Sequence, residues 1–89
     1  MAIATGLISM YIDMNIADIL RYRYGLTVGM NAALFFERWR NYGFDKARED
    51  IPERTYYTYL EMLIEVGLVK KLRKGVYQIA SGYENPVKI

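Results

Sequence analysis

The chain has 89 residues, with 12 basic and ten acidic side chains and a net charge of +2 at neutral pH. It contains neither cysteine nor histidine, which excludes disulfide bridges, zinc-finger spacings, thiol nucleophiles and imidazole general bases. With 53% hydrophobic and 15% aromatic residues, its composition is that of one globular domain rather than a disordered segment.

The N-terminal segment has the pattern of a strand. Apolar residues occupy every second position from 8 to 16 (Ile8, Met10, Ile12, Met14 and Ile16), and this alternation predicts a half-buried strand. The segment lacks a basic start and carries Asp13 and Asp18, so we expect neither a signal peptide nor a membrane span. We therefore expect an intracellular, cytoplasmic protein.

A short helix is predicted next, over residues 16–24. Asn15 can cap its first turn, Arg21 and Arg23 suit its last turn, and Gly25 follows. A second helix is predicted over residues 27–43, with an apolar stripe at helical spacing formed by Val28, Ala32, Phe35, Trp39 and Tyr42. We assign Trp39 to core packing and expect the side chains of Glu37, Arg38, Arg40 and Asn41 to be largely exposed to solvent.

A short helix of two turns, a turn and a longer helix follow Gly43. Asp50 and Glu53 have capping-box spacing, and Pro52 suits the first turn of the longer helix. Gly67 can end this helix in a left-handed conformation, with Leu68 folding back against Leu63. Its inner face is predicted to carry Tyr56, Leu60, Leu63 and Gly67, and its outer face Arg54, Thr58, Glu61 and Glu65, with Tyr57 beside it.

The residues after this helix predict a hairpin. Strands are expected over residues 68–72 and 76–79, joined by a turn through Arg73, Lys74 and Gly75. The stretch "ERTYYTYLEMLIEVGLVKKLRKGVYQI" resembles the winged helix-turn-helix superfamily, in which a Thr opens the recognition helix, two leucines three residues apart pack inward, and Gly-Leu-Val leads into the wing.

The resemblance covers residues 27–79, and the preceding "YGLTVGMNAALFFERW" is similar to a helix of some phage and plasmid replication-initiation proteins and small viral or PadR-like regulators. It implies a single mainly α domain with a small β component (α+β). Residues 1–26 would form an N-terminal strand and helix, residues 27–79 the winged helix-turn-helix with its C-terminal wing, and residues 80–89 a polar tail.

The charge distribution points to double-stranded DNA as the partner. Lys70, Lys71, Arg73 and Lys74 lie within five residues, which leaves eight basic against ten acidic residues elsewhere. A charge run is often only a solvated surface, but on a hairpin behind a helix-turn-helix it matches the expected phosphate contact. The wing would then supply affinity and salt dependence rather than base choice.

Base reading would belong to the first two turns of the long helix. Arg54 suits a guanine edge, Thr58 a base or a thymine methyl group, and Tyr57 a sugar or phosphate. The resemblance adds Thr55, the threonine that opens the recognition helix, to these candidate DNA-contacting residues. Tyr56 and Tyr59 are expected to be core residues. Glu61 and Glu65 would be repelled by phosphates, so the C-terminal half of the helix should leave the groove.

Three alternatives stay open on the sequence. Acidic residues outnumber basic ones by one from position 45 to 54, which would suit a winged helix that docks another protein. A role in replication initiation or partition would use the same DNA-binding surface as a transcriptional regulator. An enzyme is disfavoured, because the remaining carboxylates, tyrosines and lysines have the spacing of caps and solvated faces.

The N-terminal third would serve either as a dimerisation element or as part of the monomer's own core. The residues concerned are Leu7, Ile8, Ile12, Ile16, Ile19 and Leu20. We expect a homodimer on a near-palindromic DNA site, with no cofactor, metal or membrane partner.

Overall fold

The computed structural model describes residues 15–83 and is mainly helical, with one small antiparallel sheet, as the α+β prediction requires. Its elements in chain order are α1 (Ile16–Tyr24), α2 (Leu26–Tyr42), α3 (Phe44–Ala47), α4 (Glu53–Val66), β1 (Val69–Arg73) and β2 (Val76–Ile79). The predicted N-terminal strand, up to Met14, lies outside the described residues, and Ile16 begins α1, as the helix predicted over residues 16–24 requires. No helix within residues 15–83 has the length and apolar character needed to cross a bilayer.

Helix α1 has the bounds that its capping residues predict. The Asn15 side chain accepts a hydrogen bond from the Asp18 backbone N–H at 2.8 Å, and Arg21 forms an ion pair with Asp18 at 2.5 Å. Gly25, with a φ of 102°, donates its N–H to the Arg21 carbonyl. Its backbone conformation is one that residues with a side chain rarely adopt.

Helices α1 and α2 approach each other closely at Gly29. A Cβ atom built on Gly29 would lie 2.5 Å from both the Leu20 carbonyl carbon and the Arg21 Cα. Ile19 and Leu20 are buried at this crossing in the chain's own core. For these two residues, the structure supports the core alternative over the dimerisation alternative.

The apolar stripe of α2 is buried only in part. Ala32, Phe35 and Trp39 belong to the core, as predicted, but Val28 is 45% and Tyr42 72% exposed. Those two predictions were wrong because the core covers a narrower arc of α2 than the stripe spans. The solvent prediction for Arg40 was also wrong: its side chain is 4% exposed, lies over the Phe36 ring at 5.0 Å and forms an ion pair with Glu37.

Aromatic rings join α2, α3 and α4. Phe44 packs 4.8 Å from Trp39 and 6.2 Å from Tyr56, measured between ring centroids, and Phe35 lies 5.7 Å from Tyr59. Tyr56 and Tyr59 are half-buried against the core, in agreement with their predicted role. This cluster fixes the N-terminal half of α4 on the rest of the domain.

The connection into α4 differs from the prediction. Helix α3 has a single turn rather than two, and Pro52, with a φ of −56° and a ψ of 145°, takes the N-cap position without a side-chain cap. Glu53 is therefore the first helical residue rather than the third. A capping box between Asp50 and Glu53 was predicted wrongly, because that box needs its acid at the third helical position.

The end of α4 and the hairpin agree with the sequence. Gly67 adopts the left-handed conformation, and the Leu68 N–H donates to the Leu63 carbonyl at 2.9 Å. Leu63 and Leu68 are both fully buried. Strand β1 begins at Val69 and ends at Arg73, one residue later at each end than predicted, while β2 has the predicted bounds.

Candidate nucleic-acid interface

The outward face of α4 carries the residues predicted to read bases. Arg54, Thr58, Glu61 and Glu65 are all exposed, as the helical spacing requires. The Thr58 hydroxyl donates to the Arg54 carbonyl at 3.1 Å. This bond uses the hydroxyl proton of Thr58, so the side chain offers an acceptor oxygen and a methyl group to a ligand.

Thr55 and Tyr57 lie at the two sides of this face. Thr55 is half-buried, and its N–H donates to the Pro52 carbonyl at 2.9 Å. Tyr57 is 40% exposed, with its ring 5.1 Å from that of Tyr56. Partial burial, followed by the nearby Tyr56 and Tyr77 phenols, raises the pKa of Tyr57 above its ordinary value. Even at that ordinary value a phenol is protonated at neutral pH, and the Tyr57 hydroxyl can donate to a phosphate.

The hairpin presents the four wing cations, Lys70, Lys71, Arg73 and Lys74, on exposed positions. Lys70 pairs with Gln78 and Lys71 with Tyr77 across the strands, and an irregularity between Lys71 and Arg73 shifts the register near the turn. Because successive strand residues point to opposite sides, the cations surround the end of the hairpin instead of forming one flat stripe.

Contacts between aromatic rings connect this hairpin with the N-terminal half of α4. Tyr77 lies 5.8 Å from Phe44, and Phe44 contacts Tyr56, the neighbour of Tyr57. Lys71 is the strand partner of Tyr77. The fold therefore brings the base-reading and phosphate-binding candidates to two sides of one aromatic cluster.

Ion pairing separates the wing cations from most of the other basic residues. Arg21, Arg23, Arg40, Lys46 and Arg48 each form an ion pair with a carboxylate. Within residues 15–83, the basic side chains that form none are Arg38, Arg54 and the four wing cations. Five of these six unpaired cations lie on α4 or the hairpin, so the positive charge available to a ligand is concentrated there.

The C-terminal half of α4 has a structural role. The Glu65 carboxylate accepts hydrogen bonds from the Tyr24 hydroxyl and from Arg23, the latter at 2.8 Å. The bond from Tyr24 lowers the pKa of Glu65 most, and the bond from Arg23 lowers it further. Burial and the bond to Glu65 raise the pKa of Tyr24 to about 12. Glu65 thus joins α4 to α1.

One further basic residue at this surface was not predicted from the sequence. Arg48 lies over the rings of Phe44 and Tyr56, at 4.8 and 5.6 Å, and donates to the Tyr56 hydroxyl at 3.3 Å and to Asp45 at 2.8 Å. The bond to Tyr56 is the main cause of a raised pKa for Arg48. Only its position in the turn before α4 could have drawn attention to it.

The arrangement can bind a polyanion at the hairpin and contact a second surface through α4. Comparison of the chain with protein-family models, with curated proteins and with solved structures gives no match.

Proposed function

We propose that this chain is a winged-helix protein that binds double-stranded DNA, with α4 as its recognition helix and the β1–β2 hairpin as its wing. Helices α2, α3 and α4 followed by the hairpin have the order that this fold requires. The observation that carries the proposal is the concentration of unpaired cations on α4 and the hairpin. Within residues 15–83, the other basic residues except Arg38 are paired with carboxylates.

The division of labour follows from the chemistry of the two surfaces. Lysine and arginine side chains on the wing suit phosphate oxygens, which supply affinity without base choice. Arg54, near the start of α4, can reach a guanine edge when the helix enters the major groove by its N-terminus. Thr58 offers a methyl group to thymine, and Tyr57 a phenol proton to the backbone.

The pairing of Glu65 is compatible with this orientation. Its carboxylate is held against α1 by Tyr24 and Arg23, so the C-terminal half of α4 belongs to the scaffold. Glu61 remains an exposed acid on the same face. Both residues favour a DNA contact that is confined to the first two turns of α4.

A direct test is fluorescence anisotropy with a random-sequence duplex at low salt, using the chain and a variant in which all four wing cations are replaced by alanine. We expect the chain to bind and the variant to bind much more weakly. A matched control, Lys46→Ala, removes an exposed cation that is already paired with Glu49 and should leave binding almost unchanged. Equal binding by the chain and the wing variant would refute the proposal.

The biological process that fits best is transcriptional regulation by a small viral or plasmid type of regulator. Replication initiation or partition would use the same interface. Selection of duplexes from a random pool would separate these uses from non-specific binding, since a regulator requires a preferred sequence and an Arg54→Ala variant should lose that preference.

The second candidate function is docking of another protein, and the acids at the start of α4 favour it. Asp45 and Glu49 are paired with Arg48 and Lys46, while Asp50 and Glu53 are exposed and form no ion pair within residues 15–83. A basic partner would suit this end of α4. Failure to bind DNA at low salt by a folded chain would favour this function.

A further inference from the structure

The two lysines of β1 leave the hairpin on opposite sides. Lys71 is the strand partner of Tyr77, and Val69 pairs with Ile79 in the same register. Directly opposed residues, and residues two apart along a strand, share one face of a sheet. Val69 is buried, and Tyr77 and Ile79 are half-buried against the core. Lys71 therefore lies on the inner side of the hairpin, while Lys70 lies on the outer side.

Tyr77 brings this inner side to the flank of α4. Its ring lies 5.8 Å from that of Phe44, and the Phe44 ring lies 6.2 Å from that of Tyr56. The rings of Tyr56 and Tyr57 are 5.1 Å apart. Burial raises the pKa of Tyr57 most and the Tyr56 and Tyr77 phenols raise it next, which agrees with hydroxyl groups that lie near one another. We call Tyr57, Lys71 and Tyr77 the α4–hairpin junction.

Tyr57 lies on the side of α4 that is nearest to the hairpin. It follows Arg54 by three residues, so the two side chains are neighbours on the helix surface. Thr58, one residue further on, points about 100° away from Tyr57. When α4 occupies a major groove, the backbone strand that borders this groove on the hairpin side runs over Tyr57 and reaches Tyr77 and Lys71.

The hydrogen-bond donors of the junction are available to a ligand. In the described part of the chain, the hydroxyls of Tyr57 and Tyr77 form no hydrogen bond with another residue, and Lys71 forms no ion pair. A phenol donates one proton and an ammonium group three. Donors on two separate elements can therefore bind the oxygens of one anion by charge-assisted hydrogen bonds.

The charges around the junction select the kind of anion. Asp45 is neutralised by Arg48. Glu53, one turn before Tyr57, is exposed and forms no ion pair within residues 15–83, so it opposes the charge of Lys71. Because the local charges nearly balance, hydrogen bonds must supply much of the affinity. This suits a phosphodiester, which carries one negative charge, better than a terminal phosphate, which carries nearly two.

From these observations, we propose that the α4–hairpin junction holds one phosphodiester group of the DNA backbone, with Tyr57 and Tyr77 donating from its two sides and Lys71 supplying the charge. This inference rests on the proposed DNA binding and names the group that fixes the duplex between α4 and the wing. It makes Tyr77 a DNA-binding residue and gives Lys71 a role that Lys70 does not share.

Phenylalanine substitutions test the two hydroxyls, because they keep the rings that pack in the aromatic cluster. Tyr77→Phe and Tyr57→Phe should each weaken binding to a selected duplex by about two- to tenfold, the range for one hydrogen bond. Tyr59→Phe is the matched control, since Tyr59 packs on Phe35 at the other flank of α4, and it should leave binding unchanged. Binding is measured by fluorescence anisotropy, and urea unfolding verifies that each variant folds.

The two lysines allow a test of coupling. Lys70→Ala and Lys71→Ala each remove one wing cation, so both should weaken binding. In the Lys70→Ala chain, Tyr77→Phe should keep its full two- to tenfold effect. In the Lys71→Ala chain the effect should fall below about twofold, because residues that hold the same group are coupled while distant ones add independently.

Methylphosphonate substitution locates the phosphate. This change replaces one charged backbone oxygen by a methyl group, and it is scanned one position at a time along the selected duplex. At one position bordering the groove that α4 enters, the chain should lose binding, and Tyr77→Phe and Lys71→Ala should add little to that loss. At other positions their effects should remain.

The outcomes distinguish this proposal from the DNA-binding function itself. A folded chain that binds no duplex at low salt would overturn both. Binding that Tyr57→Phe and Tyr77→Phe leave unchanged would overturn only the phosphodiester site, and so would equal effects of Tyr77→Phe in the two lysine variants. The same holds if no methylphosphonate position removes the effect of Tyr77→Phe.

Discussion

Replacement of Gly29 by alanine tests the packing on which the whole domain depends. Gly29 lies inside α2, where alanine is normally the better residue by about 0.5–1 kcal/mol. Helix propensity therefore predicts that Gly29→Ala stabilises the protein. The close approach of α1 predicts the opposite, so the sign of the change decides between a packed and an unpacked α1.

The magnitude follows from the crossing of the two helices. The added Cβ would lie 2.5 Å from the Leu20 carbonyl carbon and the Arg21 Cα, whereas ordinary contacts between carbon atoms are about 3.5–4.0 Å. Helix α1 must move away by about 1 Å, and the atoms it meets are backbone atoms that cannot rotate aside. Overpacking of this kind costs about 1–3 kcal/mol, and the separation also loosens the packing of Ile19 and Leu20. We expect a net loss of about 1–2 kcal/mol in the free energy of unfolding.

Urea unfolding followed by circular dichroism measures this change. Asn31→Ala is a suitable control, because Asn31 is exposed on the same helix and its replacement raises helix propensity without a new contact. We expect the control to stabilise by a few tenths of a kcal/mol. If Gly29→Ala is as stable as the control, α1 does not pack against α2 in this way.

Three further predictions concern α4 and the wing. Arg54→Ala should cost about 1–3 kcal/mol on a selected DNA site and relax base choice at one position; an equal loss on every sequence would contradict base reading. Lys74→Ala should weaken binding to all duplexes alike and reduce the salt slope by about 0.9, whereas a changed base preference would contradict its phosphate role. Because Tyr24 and Arg23 lower the pKa of folded Glu65 below its ordinary 4.5, its stabilising contribution is present above that pH and is lost as the pH falls through the folded pKa. Glu65→Gln should therefore make the free energy of unfolding less dependent on pH below about 4.5. If urea unfolding shows the same pH dependence for this variant as for the original chain, the stabilising role of ionised Glu65 is refuted.

Local signals in the sequence were sufficient for several elements. The bounds of α1 were predicted because Asn15 and Gly25 act through bonds within a few residues of themselves. The end of α4 at Gly67 depends on the same kind of local backbone geometry. The exposed face of α4 followed from helical spacing, and the hairpin followed from the turn residues between two short apolar runs.

The errors arose where distant parts of the chain decide burial. Arg40 is buried because Phe36, Glu37 and the carbonyl of Tyr83 surround its side chain, and Tyr83 lies 43 residues away in sequence. Tyr42 is exposed because no described element covers that end of the stripe. Periodicity identifies an apolar face but not the width of the arc that its neighbours cover.

For the candidate site, the sequence indicated the four wing cations and Arg54 but not their state of pairing. A charge run has the same appearance in sequence whether or not carboxylates neutralise it. Asp45, Glu49 and Glu65 each pair with a basic residue outside the wing, and three-dimensional contacts were needed to establish this. The stacked position of Arg48 on Phe44 and Tyr56 likewise depends on how α3 meets α4.

The salt dependence of DNA binding tests the central claim most directly. Binding of a random-sequence duplex would be measured by fluorescence anisotropy from about 50 to 200 mM salt, for the chain and for the variant that lacks the four wing cations. If each cation contacts one phosphate, the logarithm of the association constant should fall against the logarithm of salt concentration with a slope steeper by about 3.6 in the chain than in the variant. Binding with no such slope, or with the same slope in both proteins, would contradict a wing that holds the DNA backbone.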